Sequence, residues 1–266
     1  MNSYTVAFVG AGKISETWME RLVKSGAVAP DQIMACDPSG SRLSYLNRRY
    51  PGLRTSPDNA AGARFGALVV IATPPPEVLS TLAKIRPALQ QGALVISLAA
   101  GVPLQKLRST APSVTVLRVM PNTPSMAGEG MNLVCFSAGT SDDVRQRLEP
   151  LLELFGDRLE VEEGDMEAYG ALCSVGPTFL FPILQSMIDA AVQAGLPESL
   201  ARRAAAQVFV GTGKLVAGSE RTVAELNGMI GLHTLAEPQA MQLIADAYTE
   251  ALGKLRGLAA RMSAGA

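Results

Sequence analysis

The sequence predicts an α/β chain in two parts: a doubly wound, mostly parallel sheet over residues 1–164, then an all-helical half over residues 165–266. Three observations carry this. Short apolar runs alternate with helical patterns through the first half, the pattern of a parallel sheet with crossover helices. The first such run, Val6-Ala7-Phe8-Val9, ends in Gly10-Ala11-Gly12 and passes at once into helical spacing. From Asp165 onward strand signals stop, and Ala, Leu, Gln and Met recur at helical spacing instead.

The elements follow in order. After the strand at Val6–Val9, a helix is expected with Trp18, Leu22 and Val23 on its apolar stripe. Strand, glycine turn and helix together open a dinucleotide-binding βαβ unit, so the first half reads as Rossmann-like. Gly10 permits the tight turn through Ala11, and Gly12 lets a pyrophosphate approach the backbone. The helix N-terminus at Lys13, Ile14 and Ser15 offers N–H groups and a positive dipole end to phosphates. Ser15 holds the third glycine position, which predicts a helix set slightly further from the strand. A second strand ends at Asp37, where a carboxylate accepts hydrogen bonds from ribose hydroxyls and repels a 2′-phosphate. The other reading of Asp37 is a cap on the next turn, and Ser39, Ser41 and Arg42 offer a possible phosphate site. The reading leans to NADH over NADPH.

A helix is expected over about Ser41–Tyr50, and Ala67–Ala72 is a near-continuous apolar run, as in a strand covered on both faces. Pro74-Pro75-Pro76 reads as a loop with proline in the first turn of a helix over Glu77–Leu89. Further strands are expected at Ala93–Leu98 and Val114–Met120, an edge strand at Asn132–Phe136, a helix at Asp142–Phe155 and a last strand at Leu159–Val161. Ligands of such sheets lie beyond the strand C-terminal ends. Gly10–Gly12, Asp37, Ala72-Thr73, Ala99-Ala100-Gly101 and Met120-Pro121-Asn122 all fall there. Asn122 has two readings, a hydrogen bond to cofactor or water, or a turn residue between prolines. Met120 reads as packing.

In the second half, helices are expected over Met166–Ala194, Glu198–Ala217, Val223–Ile230 and Leu235–Arg261. Gly176-Pro177 must bend or restart the first of these, and Gly195 with Pro197 is a helix stop and start. The most apolar stretch, Thr178–Leu196, contains Pro182, Gln185 and Asp189 and reads as a buried helix rather than a membrane span. An Ala- and Met-rich helical half of this size rarely buries its apolar faces alone. A homodimer through these helices is expected; packing on the first domain is the alternative.

Composition narrows the class. Apolar residues make up 48% of the chain, enough for a real core, and the formal charge of −1 gives no case for nucleic acid or an acidic membrane as partner. Cys36, Cys135 and Cys173 are scattered in no metal-like spacing and read as reduced thiols of a cytoplasmic protein. No basic or cleavable leader is expected at the N-terminus, and no metal site.

Two motifs are more specific than the glycine turn: Ser97-Leu98-Ala99-Ala100-Gly101-Val102 and Arg118-Val119-Met120-Pro121-Asn122-Thr123-Pro124, the latter continued by Gly128-Glu129-Gly130-Met131. With Asp58-Asn59, Gly176-Pro177, Ala194-Gly195-Leu196-Pro197 and Gly211–Lys214, they make the chain resemble the pyrroline-5-carboxylate reductase family over nearly its whole length. The resemblance implies a two-domain reductase with NAD(P)H in its first domain, Asn59 among the cofactor contacts, and a helical domain that dimerises by interleaving. It also implies assembly into larger rings in some members. Where the family has Ser-Gly-Ser-Gly-Pro-Ala, this chain reads Cys173-Ser174-Val175-Gly176-Pro177-Thr178, and Pro74 replaces a lysine. The family's Ser-Pro-Gly-Gly-Thr-Thr substrate turn is absent. Met229-Ile230 leads instead through a shorter Gly231-Leu232-His233-Thr234-Leu235.

The implied reaction is hydride transfer from NAD(P)H to the C=N bond of a small, cyclic imine. A protonated imine is already electrophilic, so the site needs positioning and exclusion of water more than a strong acid. Val175, Gly176, Thr178, His233 and Thr234 are the candidate substrate contacts. His233, Thr234 and Asn122 are the candidate catalytic residues, with a surface histidine as the plainer reading of His233. Two other classes stay open. β-Hydroxyacid dehydrogenases share the two-domain plan but need a lysine at the start of the helical domain, where this chain reads Met166-Glu167-Ala168-Tyr169-Gly170-Ala171-Leu172; Lys214 lies later. A non-catalytic cofactor-binding protein would keep the cofactor fold and lose the substrate turn.

Overall fold

The structure is a computed structural model and describes residues 4–264. Its strands are β1 (Val6–Val9), β2 (Ile33–Cys36), β3 (Arg54–Ser56), β4 (Leu68–Ile71), β5 (Leu94–Ser97), β6 (Thr115–Met120), β7 (Gly130–Phe136) and β8 (Gly156–Glu160). They form one sheet in the order β3-β2-β1-β4-β5-β6-β7-β8. Neighbours from β3 to β6 pair in parallel, β7 runs antiparallel to β6, and β8 pairs in parallel with β7.

Every residue of β1, β4 and β5 is buried, because helices cover both faces of a parallel sheet. Alternation along β1 then feeds two separate cores. Val6 and Phe8 join Trp18, Ile33, Leu46 and Phe155 on one face. Ala7 and Val9 join Val69, Ile71, Leu82 and Leu107 on the other. The first face is covered by α1 (Lys13–Lys24), α2 (Gly40–Arg49) and α6 (Asp142–Leu152); the second by α3 (Asn59–Phe65), α4 (Val78–Ile85) and α5 (Leu104–Thr110). Trp18 of α1 stacks on Phe155 with ring centroids 4.2 Å apart, which anchors the glycine-turn helix against the far end of the chain's first half.

The chain divides into two compact units, Met1–Val175 with Ala251–Ala266, and Gly176–Glu250. The expected division near Gly164 differs from this at both ends. Helix α7 (Met166–Cys173) belongs with the sheet because Met166 is fully buried in the second core and Gly170 packs on Met120. The last helix, α11 (Glu237–Ala264), starts in the second unit and ends in the first, where Met262 packs against the second core. The second unit also holds α8 (Pro177–Gln193), α9 (Glu198–Ala217) and α10 (Val223–Asn227). Helices α8 and α9 share a small cluster of Ile188, Ala201 and Ala205.

Several expectations need correction. The strand at 130–136 is not an edge: β8 pairs on its outer side and takes the edge position. Helix α8 is not buried within the chain; only Ile188 is, while Leu180, Phe181, Ile183 and Met187 are exposed. The stretch Glu163–Gln193 is long and apolar enough to cross a membrane by length and composition, although it is broken between α7 and α8. At the third glycine position, Ser15 bonds back to the glycine turn. It is fully buried, and its hydroxyl donates to the Gly10 carbonyl at 2.5 Å.

Candidate functional site

Beyond the C-terminal ends of the strands lies a cleft of about 840 Å³. It crosses the point where β1 has β2 on one side and β4 on the other, the switch point at which open α/β sheets bind ligands. Every residue that lines it belongs to the first unit.

The glycine turn forms its centre. Gly10 has φ +88°, and a Cβ there would meet the Ala72 carbonyl and the Thr73 nitrogen at 2.9 Å, so only glycine lets β1 and β4 end this close together. Around Gly12 there is nothing within 4 Å of where a Cβ would stand. Gly12 is also the N-cap of α1 and supplies no capping side chain, so the first-turn N–H groups face open space. A phosphate fits that gap and that polarity.

The turn is held from outside by two charged side chains. Asp37 accepts from the Ala11 N–H through Oδ2 and from the Ser39 N–H through Oδ1, both at 2.9 Å. Arg42 lies across the turn: Nε donates to the Ala11 carbonyl at 2.5 Å, and Nη2 donates to the Gly12 carbonyl at 3.1 Å and to Glu16 at 2.6 Å. Both readings of Asp37 therefore hold a structural part, since it caps a turn while also lining the cleft. The Arg42 guanidinium, a candidate phosphate group by sequence, is engaged by the glycine turn itself.

Other polar atoms in the cleft await a partner. Among the described residues, Asn59 Oδ1, Thr73 Oγ1 and Ser174 Oγ are buried without a hydrogen bond, and all three residues line the cleft. Buried polar groups are normally satisfied, so these three atoms are candidates to meet the polar groups of a ligand in the cleft. Asn59 lies at the Asp37 end, Thr73 follows β4, and Ser174 stands with Met120, Pro121 and Leu255 at the opposite end. From β2 to β6 there are four strand spacings, roughly 19 Å at ~4.8 Å each. An extended dinucleotide matches that length, with one nucleoside at Asp37 and the other near Met120.

Not every expected residue lines this cleft. Ala99 and Ala100 do, as do Ala72, Thr73, Met120 and Pro121. Gly101 instead faces the last helix, where Leu258 lies 2.8 Å from a Cβ position. Ala11 is fully buried, Lys13 is exposed outside the lining, and Ile14 lines the cleft. The Asn122 side chain is tied to protein at both ends: Nδ2 donates to the Cys173 carbonyl at 3.0 Å, and Oδ1 accepts from Ser125 at 3.3 Å. It fixes the loop after β6 to the end of α7. Sequence reading missed Ser174 and Leu255. Ser174 sits inside a motif that drew attention, whereas Leu255 is remote in sequence and gave no local signal.

Of the substrate candidates, Val175 closes the first unit, and Gly176, Thr178, His233 and Thr234 belong to the second. His233 is partly exposed, with Nδ1 3.2 Å from Glu237 Oε1; Thr234 is exposed. Glu237 also accepts from Asn227 at 3.0 Å. That bond, followed by the histidine, holds the Glu237 carboxyl below its ordinary range. Burial pushes the thiols of Cys36 and Cys135 up to about 11 and raises that of Cys173, which leaves all three poor nucleophiles at neutral pH. Among the described residues, no group of three His, Cys, Asp or Glu side chains is placed to hold a metal.

Residues 163–258 match the sequence model described as "Pyrroline-5-carboxylate reductase dimerisation", and residues 5–101 match "NADP oxidoreductase coenzyme F420-dependent". A pyrroline-5-carboxylate reductase of Synechocystis sp. is 30% identical over 231 residues, covering 86% of this chain and 85% of its own. The chain belongs to the pyrroline-5-carboxylate reductase family. Another member, from Methanosarcina acetivorans, is 32% identical over 248 residues, covering 89% of this chain and 91% of its own. In fold, the crystal structure of a Plasmodium falciparum pyrroline carboxylate reductase with NADP bound is similar at a TM-score of 0.85 and 22% identity, over 97% of this chain and 99% of that one. The chain is thus an NAD(P)H-dependent oxidoreductase of the pyrroline-5-carboxylate reductase family.

Proposed function

We propose that this pyrroline-5-carboxylate reductase homologue reduces the C=N bond of a small cyclic imine and that its preferred imine is not pyrroline-5-carboxylate. The observation that carries the reductase reading is the cleft itself: a glycine cradle with nothing opposite Gly12, and unpartnered polar atoms on Asn59 and Thr73. When bound, the dihydronicotinamide supplies the hydride. The chain's own residues hold and orient. The N–H groups at the start of α1 take the pyrophosphate, Asp37 takes the ribose hydroxyls beside it, and Met120, Pro121 and Leu255 supply an apolar wall that excludes water. Asn122 acts by fixing the loop that carries Met120 to the end of α7.

We read the cofactor as NADH. Asp37 places a carboxylate where a 2′-phosphate would stand, and the nearest cation, Arg42, is already bound to the Ala11 and Gly12 carbonyls and to Glu16. The altered substrate rests on the sequence: Gly231-Leu232-His233-Thr234 stands where the family has its Ser-Pro-Gly-Gly-Thr-Thr turn. Val175, Gly176, Thr178, His233 and Thr234 are its proposed contacts. The working unit is read as a homodimer in the cytoplasm, where the three thiols remain reduced. Leu180, Phe181, Ile183, Met187 and Val208 are large apolar side chains left exposed on α8 and α9, which supports the dimer reading. Sedimentation velocity gives a dimer or a multiple of it on this reading, and a monomer at micromolar concentration contradicts it.

Oxidation of NADH and NADPH by the purified protein, followed at 340 nm with a panel of cyclic imines, tests the function. Turnover of one imine well above pyrroline-5-carboxylate is expected. Tight cofactor binding with no turnover of any imine would make the protein a cofactor-binding relative instead.

A further inference from the structure

The geometry points to Ser174 as the side chain that hydrogen-bonds the nicotinamide carboxamide and sets the orientation of the ring. The inference rests on the reductase reading above and names a residue at which this chain departs from the family motif, where glycine stands in the second place of Ser-Gly-Ser-Gly-Pro-Ala.

Ser174 is the C-cap of α7, with ordinary right-handed backbone angles of φ −86° and ψ −36°. Its position is fixed on both sides. Its own N–H and that of Val175 both donate to the Gly170 carbonyl, at 2.9 and 3.1 Å. The preceding carbonyl, that of Cys173, accepts from Asn122 Nδ2 at 3.0 Å. Its hydroxyl is nevertheless buried and, among the described residues, has no hydrogen-bond partner. A buried hydroxyl is normally paired, so one facing a cleft is placed to meet a polar ligand atom.

The surroundings select that atom. Ser174 lines the cleft at the end remote from Asp37, together with Met120, Pro121 and Leu255, which are apolar. Gly170, one turn before Ser174, packs on Met120, with Leu255 at 3.3 Å from its Cβ position, so the wall beside the hydroxyl is dry and close-packed. A flat ring fits against such a wall. The carboxamide is the only polar substituent on the nicotinamide ring, and a hydroxyl can donate to its oxygen or accept from its nitrogen. Holding that group fixes the rotation of the ring, and with it the face that meets the substrate.

The test compares two ligands that differ only at this end. ADP-ribose keeps the adenosine, pyrophosphate and both riboses of NADH and lacks the nicotinamide. Dissociation constants for each are measured by calorimetry on the full-length wild type, Ser174→Ala and Ser174→Gly. The expected result is that both variants bind NADH about tenfold more weakly and bind ADP-ribose as the wild type does. Equal weakening of both ligands would assign Ser174 a structural role, and unchanged NADH binding would remove it from the site; either overturns the inference while leaving the reductase reading intact. A wild type that binds neither these ligands nor NADPH overturns both.

Discussion

Asp37 Oδ2 and the backbone N–H of Ala11 are joined by a hydrogen bond of 2.9 Å, so the acid at the end of β2 also holds the glycine turn that follows β1. A carboxylate bond to a backbone donor contributes about 1.5–3 kcal/mol. Asp37→Ala therefore loosens the turn and removes the repulsion toward a 2′-phosphate at once. Affinity for NADH should fall, and the ratio of kcat/KM for NADPH to that for NADH should rise at least tenfold. Steady-state kinetics with both cofactors measure it. A wild type that already uses NADPH far better than NADH contradicts the cofactor reading.

Gly10 and Gly12 are predicted to fail in different ways. A methyl on Gly10 meets the backbone of Ala72 and Thr73 at 2.9 Å, which cannot yield as a flexible side chain would, and φ is +88°. Gly10→Ala should destabilise the fold by about 1–3 kcal/mol, seen as a lowered Tm. Gly12 has nothing within 4 Å of its Cβ position. Gly12→Val should keep the wild-type Tm and bind cofactor at least tenfold more weakly, about 1.4 kcal/mol. Unchanged cofactor titration in a folded Gly12→Val protein would move the pyrophosphate elsewhere.

Gly101 packs directly against the last helix: a Cβ on it would stand 2.8 Å from Leu258 Cγ and 3.1 Å from the Ala259 nitrogen. Gly101 has φ +72°, so alanine is strained there even before the contact. Gly101→Ala should displace residues 251–264 and, through Leu255, disturb the cleft wall. Faster amide hydrogen exchange confined to 251–264, with weaker cofactor binding, is the expected outcome. Wild-type exchange in that segment would show that the helix tolerates the methyl.

These contacts also show what the sequence discloses. The strand–glycine–helix opening and the apolar runs at β4 and β5 were legible because burial on both faces forces continuous hydrophobicity. Helix α9 was legible from its start signal, Gly195 with Pro197 before it. Strand β3 was not: Arg54-Thr55-Ser56 is short, polar and at the sheet edge, held by pairing with β2 rather than by burial. Helices α3 and α5 have seven residues each, less than a window in which a 3.6-residue period shows. Of the cleft lining, Gly10, Gly12, Asp37 and Thr73 were named from their places at strand ends and Asn59 from the family resemblance, whereas the grip of Arg42 on the turn and the wall made by Leu255 depend on contacts between distant residues. Asn122 was found for its place after β6, but its bond to Cys173 needed the fold.

The substrate loop supplies the last prediction. His233 is the only histidine of the chain, and its Nδ1 lies 3.2 Å from Glu237 Oε1. The hydrogen bond from Asn227 and the contact with His233 hold the Glu237 carboxyl below its ordinary range, so it is ionised throughout neutral pH. A lowered carboxyl gives its stabilising contribution above the ordinary carboxylate value and loses it only as pH falls through the lowered one, so the Glu237 side of this contact is lost only in acid. An ionised Glu237 orients the imidazole through Nδ1 and leaves Nε2 for a ligand, with the Thr234 hydroxyl as the adjacent residue's contribution. On the proposed reading these groups stand in for the backbone donors of the turn that this chain lacks. His233→Ala and Thr234→Ala should each lower kcat/KM on the preferred imine about tenfold or more, while cofactor affinity stays at the wild-type value. Glu237→Gln should weaken the same parameter less, because it disturbs the orientation of the ring and leaves the ring in place. Efficient turnover of pyrroline-5-carboxylate by the wild type would defeat the altered-substrate reading, and silence of both the histidine and threonine variants would return that loop to a purely structural part.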